Sequence, residues 1–269
     1  MSHQRLPGFS LARRLDHAQH NRVPLARADF PAGFTAAQGY AVQAELAELG
    51  QLADQRAIGQ KTIGRKIGLT SATALAAFGA AEPMVGTITS DSIREAGSHI
   101  ALEGLIAPRL EGEFLIEIDH LPPADGDDAA LIASLVSVRA AFEIADSRIA
   151  GWPADVASAI ADNACCGLVI PGSERISPEN VDFSGAKGIL RRDGVIVSEG
   201  CASDCLGGVL HAYRWLLARG AAFGLSPRPG DIVMCGAICG PLPMRPGCRY
   251  DFALEGLGAV SMTTAGQPD

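Results

Sequence analysis

Pro108-Arg109-Leu110-Glu111-Gly112-Glu113-Phe114-Leu115-Ile116-Glu117-Ile118 is the stretch on which the reading of this chain turns. After Gly112 the character alternates and Phe, Leu and Ile dominate, the pattern of a half-buried β-strand. Side chains two apart on a strand share a face. Glu111 and Glu113 therefore project together, and Arg109 and Glu117 can join them. Adjacent carboxylates repel unless positive charge sits between them. A hard divalent cation such as Mg²⁺ or Mn²⁺ meets that need, because it prefers oxygen ligands and keeps positions for water or substrate. Ala141-Phe142-Glu143-Ile144-Ala145-Asp146-Ser147-Arg148 offers a third acid on another apolar segment. Glu111, Glu113 and Glu143 would make a facial three-carboxylate set. Spacing alone favours the plainer alternative, a solvated strand face whose acids pair with Arg109, Arg139 or Arg148.

Size and composition narrow the field. With 269 residues, 48% of them hydrophobic, the chain can bury a sizeable core. No apolar run approaches membrane-spanning length, and the N-terminus lacks the apolar segment of a signal peptide, so a cytoplasmic protein is expected. A net charge of −8 argues against nucleic acid as a partner. Seven cysteines is an odd number in a chain too long to need staples, which suits reduced thiols. Cys201/Cys205 and Cys235/Cys239 are spaced C-x-x-x-C, but neither pair has nearby histidines or the two-residue gap of structural zinc sites. Buried small hydrophobes are the better reading.

Working outward, residues 8–60 read as helical, with Thr35 capping a helix through Tyr40, Val42, Leu46 and Leu49 that ends near Gly50. Ile63-Gly64-Arg65-Lys66-Ile67-Gly68-Leu69-Thr70-Ser71 follows, a cationic pair between glycines inside an apolar segment, with Thr70 or Ser71 capping a short helix. Burial there would lower the Lys66 pKa and make it a good electrostatic partner or proton carrier. The alternative is a surface lysine snorkelling from a strand. A helix is expected over 128–140, leading into the Glu143 strand. Asp162-Asn163-Ala164-Cys165-Cys166-Gly167 reads as a polar turn, and Arg192-Asp193-Gly194-Val195 as a hairpin. Ser203 or Asp204 caps a helix through Leu206, Leu210, Tyr213 and Leu217, closed by Gly220. Strands follow from Arg228 and from Cys248 onward. The whole is an α+β pattern without βαβ rhythm.

Taken in order, several of these segments resemble the hydratase/decarboxylase group of the fumarylacetoacetate hydrolase-like superfamily. They are Gly64-Arg65-Lys66-Ile67-Gly68-Leu69-Thr70, Glu111-x-Glu113, Glu143 with Asp146-Ser147-Arg148, Asp162-Asn163-Ala164-Cys165-Cys166-Gly167, Cys205-Leu206-Gly207 and Gly230-Asp231-Ile232-Val233. Each is weak alone; the combination, spread over roughly 40–262, is specific. The resemblance implies a mixed β-sheet roll or barrel, with a helical segment over 1–60 and a catalytic domain over 61–269. It implies that Glu111, Glu113 and Glu143 hold Mg²⁺ or Mn²⁺, that Lys66 is catalytic, and that Arg65, Leu69, Asn163, Ala164 and Cys165 face the substrate. It also implies a homo-oligomer, open to association with a pathway partner enzyme.

One departure bears on the reaction. Hydratases of this group usually carry an aspartate in a Pro-Asp-Phe-Gly turn, where this chain has Pro83-Met84-Val85-Gly86; a metal-bound water or Glu82 would then have to relay the proton. The implied activity is hydration of a 2-hydroxy-2,4-dienoate or 2-oxo-4-enoate in aromatic meta-cleavage catabolism. The runner-up is decarboxylation of a 4-oxalocrotonate-type 2-oxo acid, which needs less general-acid machinery. Hydrolysis of an acylpyruvate would need a His–Glu pair for which the six histidines offer no clear candidate. A non-catalytic subunit that binds a partner enzyme is the reading from another class.

Overall fold

The computed structural model describes residues 10–54 and 61–266. The Glu111 stretch forms β4 (Arg109–Ile118), the antiparallel neighbour of both β5 (Leu135–Ala145) and β9 (Ile232–Pro243). Around them runs a six-stranded sheet in the order β2-β1-β9-β4-β5-β6, where β1 is Thr62–Gly68, β2 is Met84–Thr89 and β6 is Cys166–Pro171. This sheet curls until its ends meet. Ile93, just past β2, bridges to Val169 on β6, and the Arg94 N–H donates to Val169 O at 2.9 Å.

The period-two alternation of the strands divides the two faces. Leu115, Ala141, Val169, Met234, Ile88 and Cys166 form a closed apolar cluster on the inner face. Leu110, Phe114, Ile116, Phe142, Ile144, Ile67 and Val233 point outward into the main core. That core is completed by a second sheet, ordered β3-β11-β10-β7-β8, and by helix α6 (Val209–Arg219). Its strands are β3 (His99–Ile100), β7 (Lys187–Arg192), β8 (Val195–Cys201), β10 (Arg249–Leu254) and β11 (Gly258–Thr264). Gly112 sits where the sheets press together: a Cβ there would lie 2.5 Å from the Phe252 ring, so only glycine fits. Burying Phe114 and Phe142 completely on this face stabilises the sheet pair, and truncating either to alanine would cost about 3–5 kcal/mol.

The N-terminal helices α1 (Leu11–Asn21) and α2 (Ala36–Asp54) pack on Ile149 and on Ala161 of α5 (Val156–Ala161) beside the roll. Ser10 caps α1, and Thr35 caps α2 by accepting from the Gln38 N–H at 3.3 Å. Ser71 caps α3 (Ala72–Phe78), and Asp193 and Gly194, both at positive φ, form the β7–β8 hairpin turn.

Four expectations change. The helix expected over 128–140 is only α4 (Asp128–Ala133), because Leu135-Val136-Ser137-Val138 alternates with branched residues and joins β5. Helix α2 runs past Gly50. Ser203 and Asp204 lie in a 3₁₀ turn, and α6 starts after Gly208. Gly220 keeps a right-handed conformation, so the left-handed stop falls at Gly224. Among the described residues no helix is long and apolar enough to cross a membrane.

Candidate metal and catalytic site

The carboxylates of Glu111, Glu113 and Glu143 each offer an oxygen lying within 4.8 Å of the others. Register explains the meeting: Glu111 is the direct cross-strand partner of Glu143, and Glu113 follows two positions on along the same face. All three project inward from the curled sheet, at the end of the apolar cluster. Glu117 and Arg109 point to the same side but do not join. Glu117, toward the other end of the strand, pairs with Arg139 at 3.3 Å and Arg175 at 3.0 Å. Arg109 lies over the Trp152 ring, 4.1 Å from its centroid.

Lys66 enters from β1. Its ammonium is 3.0 Å from Glu143 Oε1 and donates to Ala164 O at 2.9 Å. Both Lys66 and Glu143 are buried, and neither Glu143 oxygen has a well-formed hydrogen bond among the described residues. Glu113 accepts the Gly236 N–H at 2.9 Å. A buried acid so poorly supplied with donors is costly. Three carboxylates converging on one point, with both Glu143 oxygens unsatisfied, fit a hard divalent cation.

The electrostatics follow. Burial pushes Glu111 up to about 7, reinforced by Glu143 and opposed by Lys66 and Arg109. Burial, then Glu143 and Glu111, push Glu113 well above the usual carboxylate range, against Lys66 and the Gly236 N–H. For Lys66, burial alone works downward, as the sequence suggests, but the carboxylates of Glu143, Glu111 and Glu113 outweigh it and raise the pKa. The expectation of a depressed lysine is thus reversed. Burial holds the Cys166 and Cys205 thiols up at about 12, so both stay neutral.

Several residues expected at the substrate lie elsewhere. Arg65 alternates to the opposite face of β1 from Lys66, where its guanidinium donates to the carbonyls of Gly64, Leu225 and Ser226. Glu82 is half-exposed and held by two 2.8 Å hydrogen bonds from Arg219. Both of its oxygens are thus taken up by Arg219, away from Lys66 and its Glu143 and Ala164 partners. Met84 does lie beside Lys66: a Cβ on Gly68 would sit 2.8 Å from Met84 Cε and 3.7 Å from Lys66 Nζ. Leu69, at φ 60, joins Met84, Tyr40 and Ile160 in a small apolar cluster. Asn163 and Cys165 turn inward on the protein, Asn163 to the backbone of Thr87 and Cys165 toward Asp162. Ala164 reaches the site through its carbonyl. Sequence reasoning missed that carbonyl and the Gly236 N–H, because backbone groups carry no residue-type signal. Gly236, at φ 106 in the glycine-rich end of β9, was the one available hint.

A 2-keto-4-pentenoate hydratase of Paraburkholderia phymatum is 32% identical over 254 residues, spanning 93% of this chain and 95% of that protein. The chain belongs to the 2-keto-4-pentenoate hydratase family. A second family member, 2-hydroxyhexa-2,4-dienoate hydratase of Comamonas testosteroni, is 32% identical over 212 residues, covering 77% of this chain and 80% of its own. Among solved structures, 4-oxalocrotonate decarboxylase from Pseudomonas putida G7, complexed with magnesium and adipate, matches with a TM-score of 0.85. Its identity is 28%, over 94% of this chain and 95% of that one. No protein-family model matches the chain. Membership in this hydratase family fits the α+β roll and makes the chain an enzyme.

Proposed function

We propose that this enzyme is a divalent-metal-dependent carbon–oxygen lyase that hydrates a 2-hydroxy-2,4-dienoate, the enol form of a 2-oxo-4-enoate, by way of the conjugated 2-oxo-3-enoate, to a 4-hydroxy-2-oxo acid in aromatic meta-cleavage catabolism. The observation that carries this is the convergence of Glu111, Glu113 and Glu143 beside the buried ammonium of Lys66. A cation held by these three residues, Mg²⁺ or Mn²⁺ from the hardness of the donor set, would supply Lewis-acid stabilisation for negative charge on the substrate 2-oxygen.

The chemistry asks for a proton to move from the 2-hydroxyl to the far carbon of the dienol. Water then adds as hydroxyl at C4 and hydrogen at C3. Lys66 is our candidate for stabilising the negative charge. Its ammonium has three donors; Ala164 O and Glu143 face two of them. The third is left for the substrate, where a fixed positive charge in a water-poor site stabilises the developing enolate strongly. The raised pKa keeps that charge in place at neutral pH. Met84, buried with Ile160 and Ala164 near Lys66, forms an apolar wall.

That wall is also the observation favouring a second reading, decarboxylation of a 4-oxalocrotonate-type acid. Loss of CO₂ leaves the same dienolate without a water to activate. Incubation with 2-hydroxypenta-2,4-dienoate and with 4-oxalocrotonate, each with Mg²⁺ and with EDTA, separates the readings. Consumption of the dienoate to the 4-hydroxy-2-oxo acid, abolished by EDTA, is the expected outcome; CO₂ release without hydration would replace it with the second reading. Lack of turnover of either substrate by metal-loaded protein would point to a non-catalytic subunit. We further propose a cytoplasmic homo-oligomer, with room for a pathway partner enzyme. Helix α3 leaves Ala72, Thr73, Ala76 and Ala77 exposed, and Val195 and Ile196 stand exposed on the β7–β8 hairpin, which favours burial against further subunits.

A further inference from the structure

Asn163, Ala164 and Cys165 take φ of 51°, 52° and 58°, three consecutive left-handed residues, none of them glycine. Left-handed backbone costs such residues about 1–2 kcal/mol each, so a run of three persists only if its surroundings hold it. Here the hold is visible. Asn163 Oδ1 accepts the Thr87 N–H at 2.8 Å, and Asn163 Nδ2 donates to Thr87 O at 2.9 Å. One side chain thus closes both backbone groups of a β2 residue. At the other end, Cys165 O accepts the Asp146 N–H at 2.8 Å. Between these two anchors the Ala164 carbonyl is presented to Lys66 Nζ at 2.9 Å. The fit is close: a Cβ on Gly86 would stand 2.7 Å from Asn163 O and 2.9 Å from Lys66 Cγ.

We infer that Asn163 is a positioning residue, which clamps the 163–165 turn onto β2 so that the Ala164 carbonyl holds the Lys66 ammonium against Glu143. The amide spends its carbonyl and one donor on Thr87, so it serves the lysine and is not the substrate contact that its place in the sequence suggests. This inference rests on the reading of Lys66 as the catalytic group.

The test is a double-mutant cycle on the Mg²⁺-loaded enzyme, following turnover of 2-hydroxypenta-2,4-dienoate by wild type, N163A, N163G, K66M and N163A/K66M. N163A is expected to lower kcat about tenfold to a hundredfold, the scale of a misplaced catalytic group, with KM changed less than about twofold. N163G accepts positive φ without strain but lacks the clamp, so it stays impaired as well. Adding N163A to K66M should cost nothing more. A second readout does not depend on turnover: the ¹⁵N resonance of the buried Lys66 ammonium, identified by its loss in K66M, should shift or broaden in N163A and N163G. Wild-type kcat in N163G, a rise in KM alone, additive losses in the double variant, or an unmoved Lys66 resonance would each overturn the positioning role while leaving Lys66 catalytic. Full activity in K66M would remove both this inference and the reading it rests on.

Discussion

Lys66 Nζ stands 3.0 Å from Glu143 Oε1, an ion pair in which both partners are buried. Removing one member of such a pair leaves an uncompensated charge and costs about 3–5 kcal/mol. The substitution K66M is therefore expected to destabilise the metal-free protein by about that amount. It should also reduce turnover by about 10²–10³, the usual range for losing a fixed donor aimed at developing negative charge. Urea unfolding and steady-state rates check both; an unchanged midpoint would show that the pair contributes nothing to folding.

Metal should stabilise the fold, because the three glutamates repel one another without it. A ligand present at a hundred times its Kd adds about 2.7 kcal/mol. That corresponds to a rise in Tm of several degrees for a chain of this size. Differential scanning calorimetry with Mg²⁺ and with EDTA should show the rise. E113A should abolish it, and its survival in E113A would move the cation elsewhere.

Glu111 sets a pH window. Its carboxyl is pushed from 4.5 up to about 7 in the folded protein, chiefly by burial. The folded state then binds more protons than the unfolded state between those values, so metal-free stability falls as pH rises from about 4.5 through about 7. Mg²⁺ needs the ionised form, so its affinity should rise over the same interval. Calorimetric titration at a series of pH values reads both trends; a flat affinity between pH 6 and 8 would count against Glu111 as a ligand.

Gly86 has no room for a side chain, with Asn163 O and Lys66 Cγ both within 3 Å of where a Cβ would stand. G86A should displace the 163–165 turn or Lys66, lowering kcat at least about tenfold. A G86A enzyme with normal kcat would show that the turn tolerates movement.

The Glu82–Arg219 pair lies at the surface, and exposed pairs of this kind contribute little. E82Q should leave kcat, KM and Tm unchanged. A large fall in kcat would restore Glu82 as the proton relay suggested by its place next to Pro83.

The alternation of residues 109–118 sufficed to place Glu111 and Glu113 on one side of a strand, because strand periodicity is a local property. Glu143 could be proposed as the third acid from sequence order, but its cross-strand pairing with Glu111 is a matter of register, fixed by contacts across the β4–β5 pair. Period two also told against Arg65 as a neighbour of Lys66, since adjacent strand residues face opposite ways; the motif drew both toward the site, and the fold separates them. The Lys66 pKa could not be read locally at all. Burial by itself lowers it, and only the curling of the sheet, which gathers three carboxylates around the ammonium, reverses the sign. The left-handed turn at 163–165 is likewise tertiary, since of Asn-Ala-Cys only Asn takes positive φ readily; the Thr87 backbone, supplied from a strand about 76 residues earlier, makes the run stable. What this sequence settled by itself was which side chains share a face, because that depends on neighbours along the chain. What only the folded structure decided was which faces meet, and with them the charge at the site, because those energies arise between groups distant in sequence.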